Sequence, residues 1–119
     1  MGGKSSRTKG HGFEREVAIL LREVFPNAKR KLEYQWQEAS GVDLDHTGNL
    51  VVQCKRSKSS VPISKIEEIR LPGIKVLISK TDFKPIYATL ELCDFIKLLK
   101  DVGEAFIPDS QVIKKKAQP

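Results

Sequence analysis

The stretch that most constrains how this chain can fold is residues 42–55. Val42-Asp43-Leu44-Asp45 alternates apolar and polar side chains, the period of a half-buried strand. Thr47-Gly48-Asn49 supplies turn chemistry, and Leu50 through Lys55 continues as a second strand. The predicted unit is a β-hairpin. Side chains alternate across a strand, so Gln53 and Lys55 share one face while Leu50, Val52 and Cys54 turn toward the core. A turn at 47–49 sets Asp43 near the level of Gln53. One carboxylate, one amide oxygen and one ammonium are therefore expected side by side. The spacing alone leaves two readings open, because exposed Asp, Gln and Lys on a hairpin also make an ordinary solvated face.

The rest of the chain supplies one domain around that hairpin. A helix is predicted over residues 12–25, where Phe13, Val17, Leu20, Leu21 and Val24 form an apolar stripe that Pro26 ends. A weakly patterned strand is expected over 28–35. Ser64 to Glu67 has the spacing of a capping box at the start of a short helix that Leu71-Pro72-Gly73 closes. Strands are expected over 74–78 and 85–89, with Asp82-Phe83-Lys84 turning between them. A second amphipathic helix over 90–99 carries Leu92, Phe95, Ile96 and Leu99 on one face. The predicted order is α-β-β-β-α-β-β-α. Residues 1–11 read as a flexible basic arm, 12–107 as the single domain and 108–119 as a flexible basic tail.

Composition narrows the setting. No run of 18 apolar residues exists, so no membrane span is expected, and the polar N-terminus lacks the apolar region of a signal peptide. The expected location is cytoplasmic. Cys54 and Cys93 fit no zinc spacing and read as free thiols. Net charge is +6, and it sits at the ends. Lys4, Arg7 and Lys9 precede residue 13, Lys114, Lys115 and Lys116 follow residue 113, and the chain between them is balanced. Basic ends on a neutral body suit a polyanionic partner, or serve solubility alone. Lys29-Arg30-Lys31 precedes the hairpin and Arg56 and Lys58 follow it. Arg30, Lys31, Arg56 and Lys58 can track phosphates there, or form a solvated strand edge. Trp36 reads as a packing residue or a base-stacking one, and His46 as a surface residue of the turn.

The predicted helix adds a second carboxylate. At about 100° per residue, Glu14 falls at one edge of the apolar stripe and Glu16 at the other. Oxygen ligands of this kind suit Mg²⁺ or Mn²⁺, which bind through one or two carboxylates and keep several waters. Asp45 shares a face with Asp43 and reads mainly as solvated.

Lys9-Gly10-His11-Gly12-Phe13-Glu14-Arg15-Glu16, ahead of an amphipathic run, resembles the opening of archaeal-type Holliday junction resolvases within the PD-(D/E)xK nuclease superfamily. Gly41-Val42-Asp43-Leu44 resembles the Val-Asp-Leu segment of that family. Val52-Gln53-Cys54-Lys55-Arg56 stands where the family has an apolar-Glu-x-Lys strand. Gln53 replaces the usual glutamate, a variant similar to the Gln-x-Lys strand of Mrr-type nucleases. The resemblance covers roughly residues 9–90. It implies a restriction-endonuclease-like α/β core with a mixed β-sheet flanked by helices. It implies a catalytic set of Glu14, Asp43, Gln53 and Lys55, with Glu14, Asp43 and Gln53 on Mg²⁺ or its substitute Mn²⁺. It implies contacts to DNA that include Lys9 and Ser40, and a homodimer, since resolvases cut two strands. The expected activity is metal-dependent DNA hydrolysis, structure-selective on branched DNA. An Mrr-like nuclease on ordinary duplex and a non-catalytic DNA-binding module remain the alternatives, because a neutral amide at position 53 lowers the negative charge of the site.

Overall fold

The computed structural model describes residues 2–31 and 40–108, of residues 2–9 and 104 the backbone alone. Helix α1 spans Gly2–Leu21, and the short strands β1, Lys29–Arg30, and β2, Leu44–Asp45, follow. Then come β3, Leu50–Ser57, a 3-10 helix, Ile63–Glu68, β4, Ile74–Thr81, and β5, Tyr87–Thr89. Helix α2, Leu92–Val102, leads into a last 3-10 turn, Gly103–Phe106. The architecture is mixed α/β. β3 pairs with β4 in parallel, Leu50 opposite Ile74 through Ser57 opposite Thr81, and β4 pairs with β5 antiparallel. β1 and β2 form a separate antiparallel pair.

The sheet is covered on both faces, as parallel pairing favours. On one face Val52, Cys54, Val76 and Ile78 pack with Phe13, Val17 and Ala18 of α1 and with Leu44. On the other, Leu77 packs with Ile66 and Ile69 of the crossover, joined by Val42, Val51 and Val61. Val52, Ile69 and Leu77 are essentially sealed from water. Each such burial stabilises the fold by roughly 1.5–3 kcal/mol.

Several expectations change in detail. α1 begins at Gly2, so the backbone of residues 2–11 is helical where an unstructured arm was expected. No proline interrupts residues 2–21, and extending an existing helix needs only one new hydrogen bond per residue ordered. The helix ends at Leu21, and residues 22–25 tighten into turns ahead of Pro26. Its buried arc contains Phe13, Val17 and Ala18, while Leu20 and Val24 are exposed. On the helical wheel that arc is rotated toward Glu14. The crossover helix is 3-10, begins after Pro62 and has no side-chain cap, so Ser64 lies inside it and caps nothing. Pro62 and Pro72 leave too few residues for α-helical hydrogen bonds to accumulate. Leu92, Phe95 and Ile96 of α2 remain exposed in the single chain. Of the predicted strand over 28–35, β1 alone is seen, and residues 32–39 with Trp36, like the tail from 109, lie outside the described residues.

The entry to β2 depends on one glycine. Gly41 has φ 76°, and a Cβ there would collide with the backbone carbonyl of Glu68. Next to it, the Arg70 N–H donates to the Ser40 carbonyl at 2.7 Å. Gly41→Ala is expected to cost on the order of 2 kcal/mol, from strained backbone and lost packing together. Urea unfolding measures it, and a loss under about 0.5 kcal/mol would show that this contact does not hold the fold.

Candidate active site

Asp43 is the most firmly placed residue of the predicted set. Its N–H donates to the Val52 carbonyl at 2.8 Å, and its carbonyl accepts the Lys31 N–H at 2.8 Å. Its Oδ2 accepts the Cys54 N–H at 2.7 Å. Backbone and side chain thus bridge β1 to β3, and the hairpin read from the sequence closes through these bonds and the Leu50 N–H to Thr47 carbonyl turn. Burial raises the carboxyl above its usual range, and Glu68 adds to the rise. The Cys54 N–H, Lys55 and Lys31 oppose it.

Glu14 reaches the same place from α1. Its side chain is 16% exposed, and Oε2 lies 3.9 Å from Arg30 Nη1. Burial pushes its carboxyl up to about 7. The Asp43 charge pushes the same way, while Arg30, Lys55 and Arg15 pull it down. The rotation of the buried arc explains the burial: at about 100° per residue Glu14 falls between the buried Val17 and Ala18, not out at the rim of the stripe. Two carboxylates drawn together with their charges incompletely balanced are a common mark of a cation or proton site.

β3 supplies Gln53 and Lys55, as the strand period requires. Gln53 was expected on an exposed face, yet it is only 2% exposed. The reason is the second layer, since the crossover covers the face opposite α1. Gln53 Nε2 donates to Glu68 Oε1 at 3.0 Å, and Gln53 Oε1 is buried with no hydrogen-bond partner. Such an orphaned acceptor costs about 1–3 kcal/mol, comparable to one of the buried aliphatic side chains beside it. Lys55 Nζ lies 3.8 Å from Glu68 Oε1, with its side chain 39% exposed. Cys54, on the α1 face, is a buried free cysteine whose thiol is pushed up by burial and by Asp43 and Glu14, so it stays protonated and is no nucleophile.

The residues proposed for DNA separate. Arg30 sits beside Glu14. Lys31 Nζ donates to Ser40 Oγ at 3.4 Å, and Ser40 Oγ also accepts the Val42 N–H at 3.3 Å. Ser40 is buried, and its hydroxyl shapes the approach to Asp43. Arg56 turns to Asp82 at 3.4 Å, and Lys58 is exposed. Lys9 lies on α1, and its side chain falls outside the described ones. His46 is exposed at φ 62° and lines an open groove with Arg22, Pro26, Asn27, Ala28 and Lys29, a groove that holds none of the four expected catalytic residues.

Glu68 is the residue sequence reasoning missed. It meets Gln53, Lys55 and, at 3.0 Å, Lys65. In the sequence its neighbour Glu67 matched a capping pattern, and nothing marked Glu68. Among the described residues no three His, Cys, Asp or Glu side chains form a group able to hold an ion. The expected ligand set has only two such residues, completed by an amide. Its chemistry fits a hard divalent cation: two carboxylates raised by burial, and an unpartnered amide carbonyl oxygen on β3. Comparison with protein-family models, with curated proteins and with solved structures returns no match.

The Glu14 shift sets a pH dependence. Below its ordinary value of 4.5 the group is protonated whether folded or not; between about 4.5 and 7 only the unfolded chain ionises it. The folded state then holds the extra proton, so stability falls as pH rises through that window. Glu14→Gln should flatten the decline of melting temperature from about pH 4.5 to 7. An identical decline in wild type and variant would remove Glu14 as its source.

Proposed function

We propose that this chain is a Mg²⁺-dependent DNA endonuclease of the PD-(D/E)xK type, structure-selective in the manner of Holliday junction resolvases. The observation that supports the reading is the mutual proximity of Glu14 and Asp43, each felt by Lys55, with Gln53 two residues before that lysine on β3. Buried carboxylates with raised pKa values stand beside a lysine on a neighbouring strand. Glu14, Asp43 and the Gln53 carbonyl oxygen would hold the cation. When bound, the cation polarises a phosphodiester and acidifies water. Asp43, locked by its bond from Cys54, keeps its geometry through the reaction. Lys55 moves from Glu68 to the phosphate and stabilises the negative charge that grows there. Lys31 and Lys58 add positive potential for the DNA backbone. Two opposed strands must be cut in a junction, so the proposed working unit is a homodimer.

The deciding experiment compares nicking of a four-way junction with nicking of a linear duplex of the same sequence, with and without Mg²⁺. Metal-dependent nicking of the junction alone is expected. Equal cutting of both substrates would favour an Mrr-like duplex nuclease, and binding without cutting would favour a DNA-binding module. Asp43→Asn and Lys55→Ala should each slow cleavage by about 10²–10³ or more. Asp43→Asn should melt at or above the wild-type temperature, because a buried carboxylate with a raised pKa is costly to ionise and the amide is not. Normal cutting by either variant would remove that residue from the reaction.

A further inference from the structure

The amide of Gln53 has two ends of opposite hydrogen-bonding character, and a half-turn about its last bond exchanges them. Glu68 removes that freedom. Its Oε2 accepts from Lys65 Nζ at 3.0 Å and its Oε1 lies 3.8 Å from Lys55 Nζ, so it faces Gln53 as an ionised, acceptor-only group. Gln53 must meet it with Nε2, at 3.0 Å, and Oε1 is turned away into its buried, unpartnered position. A carboxylate at position 53 would instead meet the carboxylate at 68 with charge against charge.

The placement of Glu68 is itself built into the fold. The backbone of Gly41, two residues before Asp43, lies against the Glu68 carbonyl. Arg70 N–H is bonded to the Ser40 carbonyl, and Ile69 between them is 1% exposed. The end of the 3-10 helix is thereby docked on the segment that delivers Asp43.

We propose that Glu68 is a positioning residue of this site: by accepting the Gln53 amide N–H it compels Gln53 to present its carbonyl oxygen as a neutral ligand for a divalent cation. The cation part of this inference rests on the nuclease reading above; the Gln53–Glu68 pairing does not. Amide and carboxylate act as one unit, with the charge on the crossover and the neutral oxygen on the strand. This explains why position 53 departs from glutamate.

The test is a double-variant cycle on the full chain, melted without metal or DNA. Gln53→Glu should lower the melting temperature by roughly 4–8 °C, the response of a domain this size to a loss near 1 kcal/mol. Gln53→Glu combined with Glu68→Gln should recover most of that loss, since amide and carboxylate again face each other. Additive losses in the combined variant would overturn the pairing. Calorimetric titration with Mn²⁺ then reads the site. Glu68→Ala, with Gln53 intact, should weaken Mn²⁺ binding by about 10–100-fold, the usual effect of losing a group that orients a metal ligand. Unchanged affinity would overturn the positioning role. A wild-type chain that takes up no Mn²⁺ while the melting cycle still shows coupling overturns the cation reading and leaves the orienting pair standing.

Discussion

The structure turns on the main chain and carboxylate of Asp43. Three hydrogen bonds meet there, from Lys31, to Val52 and from Cys54, all between 2.7 and 2.8 Å. They join the small β1–β2 pair to the edge of β3, which no ladder pairing otherwise does among the described residues. A carboxylate is suited to this joint because it accepts a backbone N–H at the sheet edge that would otherwise go unpaired. Its cost is a charge drawn out of water, and that cost shows in the raised pKa.

The same joint gathers the other polar groups. Glu14 comes in on α1, Lys55 and Gln53 on β3, and Glu68 on the crossover, so each brings charge or a dipole to an edge where the apolar layers part. Arg30 and Lys31 partly balance the carboxylates, and Lys55 is shared with Glu68. A fold selected only for stability would neutralise Glu14 or let it reach solvent. Here burial holds it close to Asp43, and Gln53 Oε1 stays without a donor. Unspent polarity of this sort at one place is what a binding or catalytic site needs.

Much of this was legible in the chain. The order of elements follows from periodicity and turn chemistry, and the alternation in β3 correctly sends Val52 and Cys54 toward α1. Strand spacing set Asp43 and Lys55 near one another, as their electrostatic coupling shows, while helix geometry left Glu14 and Glu16 both open and only the resemblance singled out Glu14. The misjudged points share a physical origin in tertiary packing. Gln53 reads as exposed if the hairpin has one wet face, and no local pattern reveals that Ile66 and Ile69 return to cover it. Glu68 carries no signature because its β3 partners, Gln53 and Lys55, lie 15 and 13 positions away. The stripe of α1 contained the right kind of residues, but the side that packs carries Phe13, Val17 and Ala18, a choice made by the tertiary fold that the stripe's own pattern does not contain.

The parallel pairing of β3 with β4 has a consequence for how the molecule comes into being. Leu50 is matched to Ile74 and Ser57 to Thr81, so the ladder closes only across an intervening loop and helix. Contacts of that separation carry a loop-closure penalty before they return any stability, and they slow folding. During synthesis, a chain that has emerged only to Lys55 already contains Glu14, Asp43, Gln53 and Lys55, yet lacks the β4 and crossover residues that seal β3. The chemical groups precede the framework that sharpens them. Their assembly is thus tied to completion of the domain, and a nascent or truncated chain holds the same residues without a formed site.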